Sequence, residues 1–261
     1  MLAQGGGDTV QQVSVPDTVA PQPVLSLLFA AGTRPDLAAI EHLFAEAAPG
    51  GLPGRLVASA GADRSATQVL VNGLTFDIAG LAPAKPFPAV SAHHRHGLND
   101  LTEPLEAITF APGEHISAGA AMVPVTRALL GFAANLSLAL PVRAVCWHPA
   151  RSWIGPGLFA RLALNWAAGG PFPAVGLTGL TIGEEGAVTS RGLGHFIGQE
   201  MHLEPSEGES AAETLHIAAQ VLDALVTGGR IEEPRRIILP GETLLAEPSK
   251  FSGQVWVWRN R

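Results

Sequence analysis

The chain has no tyrosine, one cysteine and two lysines among its 261 residues, and each shortage excludes something. A lone Cys146 rules out an internal disulfide, so nothing covalent staples the fold, and a reducing cytoplasm is the expected setting. Positive charge rests on arginine, because lysine occurs only at Lys85 and Lys250. Together with abundant Ala, Gly and Pro, this reads as genomic compositional bias, not as a mechanism. Charged residues make up 15% of the chain and the formal net charge is -7, which argues against a nucleic-acid groove or an anionic membrane surface as partner. The longest strongly apolar run, Ala128 to Leu140, is interrupted by Asn135 and Ser137 and is too short for a bilayer of about 30 Å. The first residues have neither the basic nor the apolar segment of a secretory signal, so none is expected.

What the chain does have is apolar residues, 47% of the total, enough to bury a core without staples. Residues 1–22, rich in Gly, Gln and Pro, are expected to form a disordered tail, followed by a single compact α+β domain over 23–261 with possible sub-halves 23–150 and 151–261. Val24 to Phe29 is a mostly apolar run suited to a central strand. Thr33-Arg34-Pro35-Asp36 reads as a helix start with Thr33 as cap, and Leu37, Ile40, Leu43 and Phe44 as its apolar stripe. Strands follow at Arg55 to Ala60, Ala66 to Val71 and Leu74 to Ala79, the last two joined by Asn72-Gly73, a tight-turn dipeptide. With a helix from Pro124 to Leu138 and a strand from Val142 to Trp147, the order is β-α-β-β-α-β, that of a ferredoxin-like unit, if the irregular residues 80–120 are an insertion. Pro156 opens a further helix. Strands are expected at Leu177 to Ile182, Ala187 to Arg191 and Ile197 to Leu203. A helix capped by the Ser210/Glu213 box runs to Gly228-Gly229, and Gln254 to Trp258 alternates as a closing strand. The word Pro-Phe-Pro-Ala-Val occurs at 86–90 and 171–175 and hints at two related halves, giving the expectation of two ferredoxin-like halves with helices packed on mixed or antiparallel sheet.

Three groups of residues could carry chemistry. His93, His94 and His96 are the most metal-like cluster, since neutral imidazoles ligate zinc or nickel; against that, no Cys is near and the closest acids, Asp100 and Glu103, read as loop. Glu200 and His202, with Glu204, would share one face of a strand, and with His195 nearby they form a possible acid/base or metal-binding group. The same alternation suits the polar face of a half-exposed strand, and the glycines at 192, 194 and 198 suit a bend. Cys146 with His148 resembles a thiolate pair, yet Cys146 shares an apolar strand face where cysteine behaves as a small hydrophobe. No nucleophile elbow, Walker loop or dinucleotide fingerprint is present. Trp256 and Trp258 share a strand face: inward they are core, outward they would make a partner interface.

The second half resembles the domain-of-unknown-function family 4261, found mainly in bacteria. The resemblance rests on the apolar helix leading into Ala144-Val145-Cys146-Trp147, with Pro156 and Phe159 soon after, and on Gly192-Leu193-Gly194-His195-Phe196-Ile197-Gly198-Gln199-Glu200, similar to the family's glycine-phenylalanine-glycine-x-glutamate pattern. It rests also on the amphipathic helix that follows and on Leu239-Pro240-Gly241-Glu242-Thr243. It covers about 120 to 150 residues, the length of one ordinary domain. His195 stands where the family favours an acidic or small residue, and Pro240 where it favours Asp. The family implies no reaction and no cofactor. The expectation is a cytoplasmic, non-catalytic module binding a protein or small molecule; the alternative is a hydrolase or metal-dependent enzyme using Glu200 with His202 or His195, helped by the 93–96 loop.

Overall fold

The computed structural model describes residues 22–45, 54–60 and 66–259. The tail expected over 1–22 therefore lies outside the described residues apart from its last position.

The central strand of the first sheet is β1 (Leu25–Ala30), whose Leu25 to Phe29 are all buried, as a strand covered on both faces requires. The helix α1 (Leu37–Ala45) follows, but its cap is Asp36 and not Thr33. The Asp36 carboxylate accepts from the Ala39 N–H at 2.8 Å, whereas the Thr33 hydroxyl donates back to the Ala30 carbonyl and closes the preceding turn. Strands β2 (Arg55–Ala60), β3 (Ala66–Val71) and β4 (Leu74–Ala79) form a meander. Asn72 and Gly73 between β3 and β4 adopt φ of 51° and 82°, as a two-residue hairpin turn demands.

Next come β5 (Phe87–Pro88), β6 (His94–His96), β7 (Leu105–Pro112), a 3₁₀ turn at Glu114–Gly119, α2 (Val123–Ala139), β8 (Ala144–Trp147) and β9 (Ser152–Ile154). The sheet order is β2-β3-β4-β7-β1-β8-β9-β6, with β5 beside β7. Its inner four strands, β4-β7-β1-β8, are each antiparallel to their neighbours and linked through α1 and α2 in the ferredoxin-like manner. The second and third strands of that unit are β4 and β7, not the two arms of the Asn72-Gly73 hairpin. The arms do pair, but β7 takes the free edge of β4. The irregular residues after β4 cover the back of this sheet, where Val90, Leu98, Leu101 and Leu105 pack on Leu28, Cys146 and Trp153.

The second half contains α3 (Pro156–Ala167), the short turn α4 (Ala174–Leu177), β10 (Gly179–Ile182), β11 (Val188–Arg191), the short turn α5 (Gly194–Ile197), β12 (Glu200–Leu203), α6 (Ala211–Gly228), β13 (Arg235–Leu239), β14 (Glu242–Pro248) and β15 (Gln254–Arg259). The capping box at the start of α6 is complete: Ser210 Oγ accepts from the Glu213 N–H, and the Glu213 carboxylate accepts from the Ser210 N–H. The sheet order, β10-β11-β12-β15-β14-β13, is antiparallel except where β12 runs parallel to β15. The protein is thus α+β with two mixed sheets and helices packed on them; the ferredoxin-like order belongs to the first sheet and the second has its own. One contiguous core joins them, from Phe29, Phe76 and Phe110 through Trp147 and Phe159 to Leu203, Leu222 and Val257.

Candidate functional site

The motif from Gly192 to Glu204 is a joint, not a continuous strand. Where a strand was expected from Ile197, residues 194–197 form the turn α5, and β12 begins only at Glu200. The cause is the Glu200 carboxylate. It accepts hydrogen bonds from the Ser190 hydroxyl at 2.5 Å and from the backbone N–H groups of Gly192, Leu193 and Gly194 at 2.7, 3.2 and 3.0 Å. Three successive amides converge on one anion, satisfying donors that the start of a helical turn otherwise leaves orphaned. Gly192 at φ 95° turns the chain in, and Gly198 at φ 72° turns it out. Gln199, also buried, exchanges two hydrogen bonds with the Ile231 backbone and so mimics a strand neighbour.

This turn pushes Phe196 into an aromatic cluster at the seam between the halves. Its ring lies 6.0 Å from Trp147, 6.3 Å from Trp166 and 5.0 Å from Phe172. His195 sits in the same cluster, edge-on to Trp147 at 5.1 Å, with Nε2 3.3 Å from the Thr126 hydroxyl. Burial pushes its pKa down to about 4, so it is a neutral ring at physiological pH.

His202 projects from β12 on the same face as Glu200 but belongs to a different neighbourhood. Its ring lies 4.0 Å from Trp256, and Nε2 is 3.0 Å from a Glu204 carboxylate oxygen. Glu200, His202 and His195 therefore point into three environments: a backbone turn, an aromatic face and the core.

The 93–96 histidines lie at the sheet seam. His93 Nε2 is 3.2 Å from the Arg151 guanidinium. The rings of His94 and His96, on β6, stack 6.4 Å apart, and the His94 ring is pressed so closely on Gly179 that a Cβ there would come within 2.2 Å of Nε2. Burial, then the neighbouring His93 and Arg191, lower the pKa of His94; burial, then His94, lower that of His96. Among the described residues no three His, Cys, Asp or Glu side chains are gathered as metal ligands. Cys146 is buried, with its thiol pushed up to about 12 by burial, and His148 bonds Ser26 Oγ at 2.7 Å and the Pro23 carbonyl at 3.0 Å instead of the thiol.

The outer face of the second sheet is different in kind. Val255 and Val257 turn into the core, so Trp256 and Trp258 turn out. Their rings stack 5.4 Å apart at 16°, and Trp258 is 38% exposed. His202 extends the stack on one side, and on the other Glu247, paired in register with Trp256, lines with Pro248 a shallow hollow of about 230 Å³. Leu245, opposite Trp258, widens the apolar area. Alternation at Gln254 to Trp258 placed the two indoles on one face; Glu247 and Pro248 lie in a segment where sequence patterning signals no element.

Comparison with protein-family models, with curated proteins and with solved structures finds no match to this chain.

Proposed function

We propose that this protein is a non-catalytic binding module that holds a protein partner on the outer face of its second sheet. The observation that carries the reading is the stacked, outward-facing pair Trp256 and Trp258. Two large aromatic rings left at the surface are costly to solvate, and tryptophan is the residue most enriched at the energetic centres of protein interfaces. His202 and Leu245 extend the surface around the indoles beyond what a small molecule alone would need. Membership of the bacterial family 4261 and a cytoplasmic setting form part of this proposal. The first rests on residues 192–200 and the second on the single buried thiol of Cys146. The alternative, a hydrolase or metal-dependent enzyme using Glu200 with His202 or His195, has less behind it, because four donors already occupy the Glu200 carboxylate.

Photocrosslinking tests the proposal. Benzoylphenylalanine placed at position 258 and expressed in the native host is expected to give a discrete protein adduct. The same group at position 138, where Leu138 on the other half is more open than Trp258, is expected to give none. Equal labelling from both positions, or none from 258, would remove the interface.

A further inference from the structure

A second surface feature is independent of the aromatic face. Along α2, Pro124, Arg127, Ala128, Gly131 and Asn135 recur at helical spacing and form the floor of a hollow of about 440 Å³. Val71, Asn72 and Leu74 of the β3–β4 hairpin make one wall, and Leu164 and Ala167 of α3 the other. Eleven residue rises make this groove about 16 Å long, and its volume is that of a small-molecule site. Gly131 opens the middle of the floor, since a Cβ there would meet only Ala167, at 3.7 Å.

Among the described residues, Arg127 is the one charged side chain lining this hollow. Its guanidinium lies over the Trp166 ring, 4.7 Å from the centroid, which fixes the plane of the group but satisfies none of its N–H donors. Its Nε is buried without a hydrogen-bond partner, and among the described residues no carboxylate pairs with it. A half-buried cation is ordinarily paired. Here the partner is missing in a groove that is otherwise apolar apart from two amides. Asn135 spends one N–H on the Gly131 carbonyl, leaving its own carbonyl oxygen and second N–H uncommitted by that bond.

We propose that this groove binds a small amphiphilic anion, a monocarboxylate with an apolar tail. The carboxylate would take the in-plane N–H donors of Arg127, and the tail would lie along Gly131, Leu164 and Ala167. A single guanidinium with no second cation fits one negative charge better than a phosphate dianion.

The test is calorimetric titration of the full chain with sodium octanoate, octyl phosphate and octan-1-ol, with tryptophan fluorescence as a second readout because Trp166 underlies Arg127. Octanoate is expected to bind saturably, about tenfold more tightly than octanol. Arg127→Met, which keeps an apolar stem on Trp166, is expected to lose that tenfold advantage while binding octanol unchanged. Should that variant fail to fold, Ala128→Phe fills the groove from its floor and is expected to abolish binding of both. Equal binding of octanoate and octanol, undiminished octanoate binding by Arg127→Met or by Ala128→Phe, or no saturable binding at low millimolar concentration would each overturn the proposal. Tighter binding of octyl phosphate than octanoate would overturn the carboxylate assignment.

Discussion

Ser190 and Glu200 face each other at the end of the β11–β12 pair, and the hydroxyl donates a 2.5 Å hydrogen bond to the carboxylate. The same hydroxyl oxygen accepts from the Met201 N–H at 2.7 Å, so one serine joins the strand ladder to the anion that organises the preceding turn. Conformation and burial are coupled here: without the anion the amides of 192–194 have no acceptor, and without the turn Phe196 has no reason to enter the seam.

Glu200→Ala is therefore expected to destabilise the fold by about 3 kcal/mol, the scale of leaving several partly buried donors unsatisfied. In a chain of this size that lowers the melting temperature by about 5–10 °C. Near-ultraviolet circular dichroism should change with it, because Trp147 and Trp166 both touch Phe196. A variant that melts like the wild type would show that the carboxylate does not organise this turn.

Gly192→Ala and Gly241→Ala separate backbone strain from packing. Both glycines have positive φ, 95° and 89°, so both substitutions carry the left-handed penalty of about 1–2 kcal/mol. A Cβ at 241 meets nothing within 4 Å, whereas one at 192 comes within 2.9 Å of the Ala150 Cβ and of the Leu177 carbonyl oxygen. Gly192→Ala is expected to cost about 1–3 kcal/mol more than Gly241→Ala in urea denaturation. Equal costs would mean that the seam yields.

These two positions also show what patterning reveals and what it hides. Alternation in Glu200 to Leu203 assigns the faces of β12 correctly, because Met201 and Leu203 are buried for reasons local to a strand. It does not reveal that the Glu200 carboxylate folds back six to eight residues, since that depends on backbone amides and not on residue type. The glycines at 192, 194 and 198 ahead of an acid were the available signal, and they read only as a bend. The β13–β14 hairpin lacks regular alternation in its charged arms and leaves no periodic trace, which hides Glu247 beside the tryptophans. The Arg127 groove is likewise invisible in sequence, because its walls come from a hairpin and a helix distant along the chain.

Stability should fall on mild acidification. His195 titrates near 4 in the folded protein against about 6.5 when unfolded, and His94, His96 and His148 are lowered by burial in the same direction. The unfolded chain therefore binds more protons, and stability is full above about pH 6.5 and declines towards pH 4. His195 alone contributes at most about 3 kcal/mol to this loss, less where solvent screens the ring. The lowered carboxylates, Glu106, Glu209 and Glu213, act only nearer their unfolded pKa, so the interval from pH 6.5 to 5 belongs to the histidines. His195→Gln is expected to flatten the urea midpoint across that interval; an unchanged slope would assign the effect elsewhere.

Arg259 holds two carboxylates from different elements, Glu209 before α6 and Glu242 on β14. The Arg259 and Glu209 side chains are only 10% and 9% exposed and Glu242 is 29% exposed, so the cation is shared between a buried and a partly exposed carboxylate. Burial alone would raise the Glu209 pKa, but hydrogen bonds from the Ser206 N–H, Arg259 and Thr214 outweigh it and leave the group below its ordinary value. Arg259→Met removes the cation and leaves both carboxylates, at an expected cost of about 3–5 kcal/mol at pH 7. In the variant, burial is no longer opposed by the cation, so Glu209 takes up a proton at higher pH than in the wild type. The wild-type protein meanwhile loses the stability conferred by its lowered carboxylate as pH falls through the unfolded value of about 4.5. The difference between the two proteins should therefore shrink on going from pH 7 to pH 4, read as converging urea midpoints. Midpoints that stay parallel would show that Arg259 acts through the packing of its stem and not through its charge.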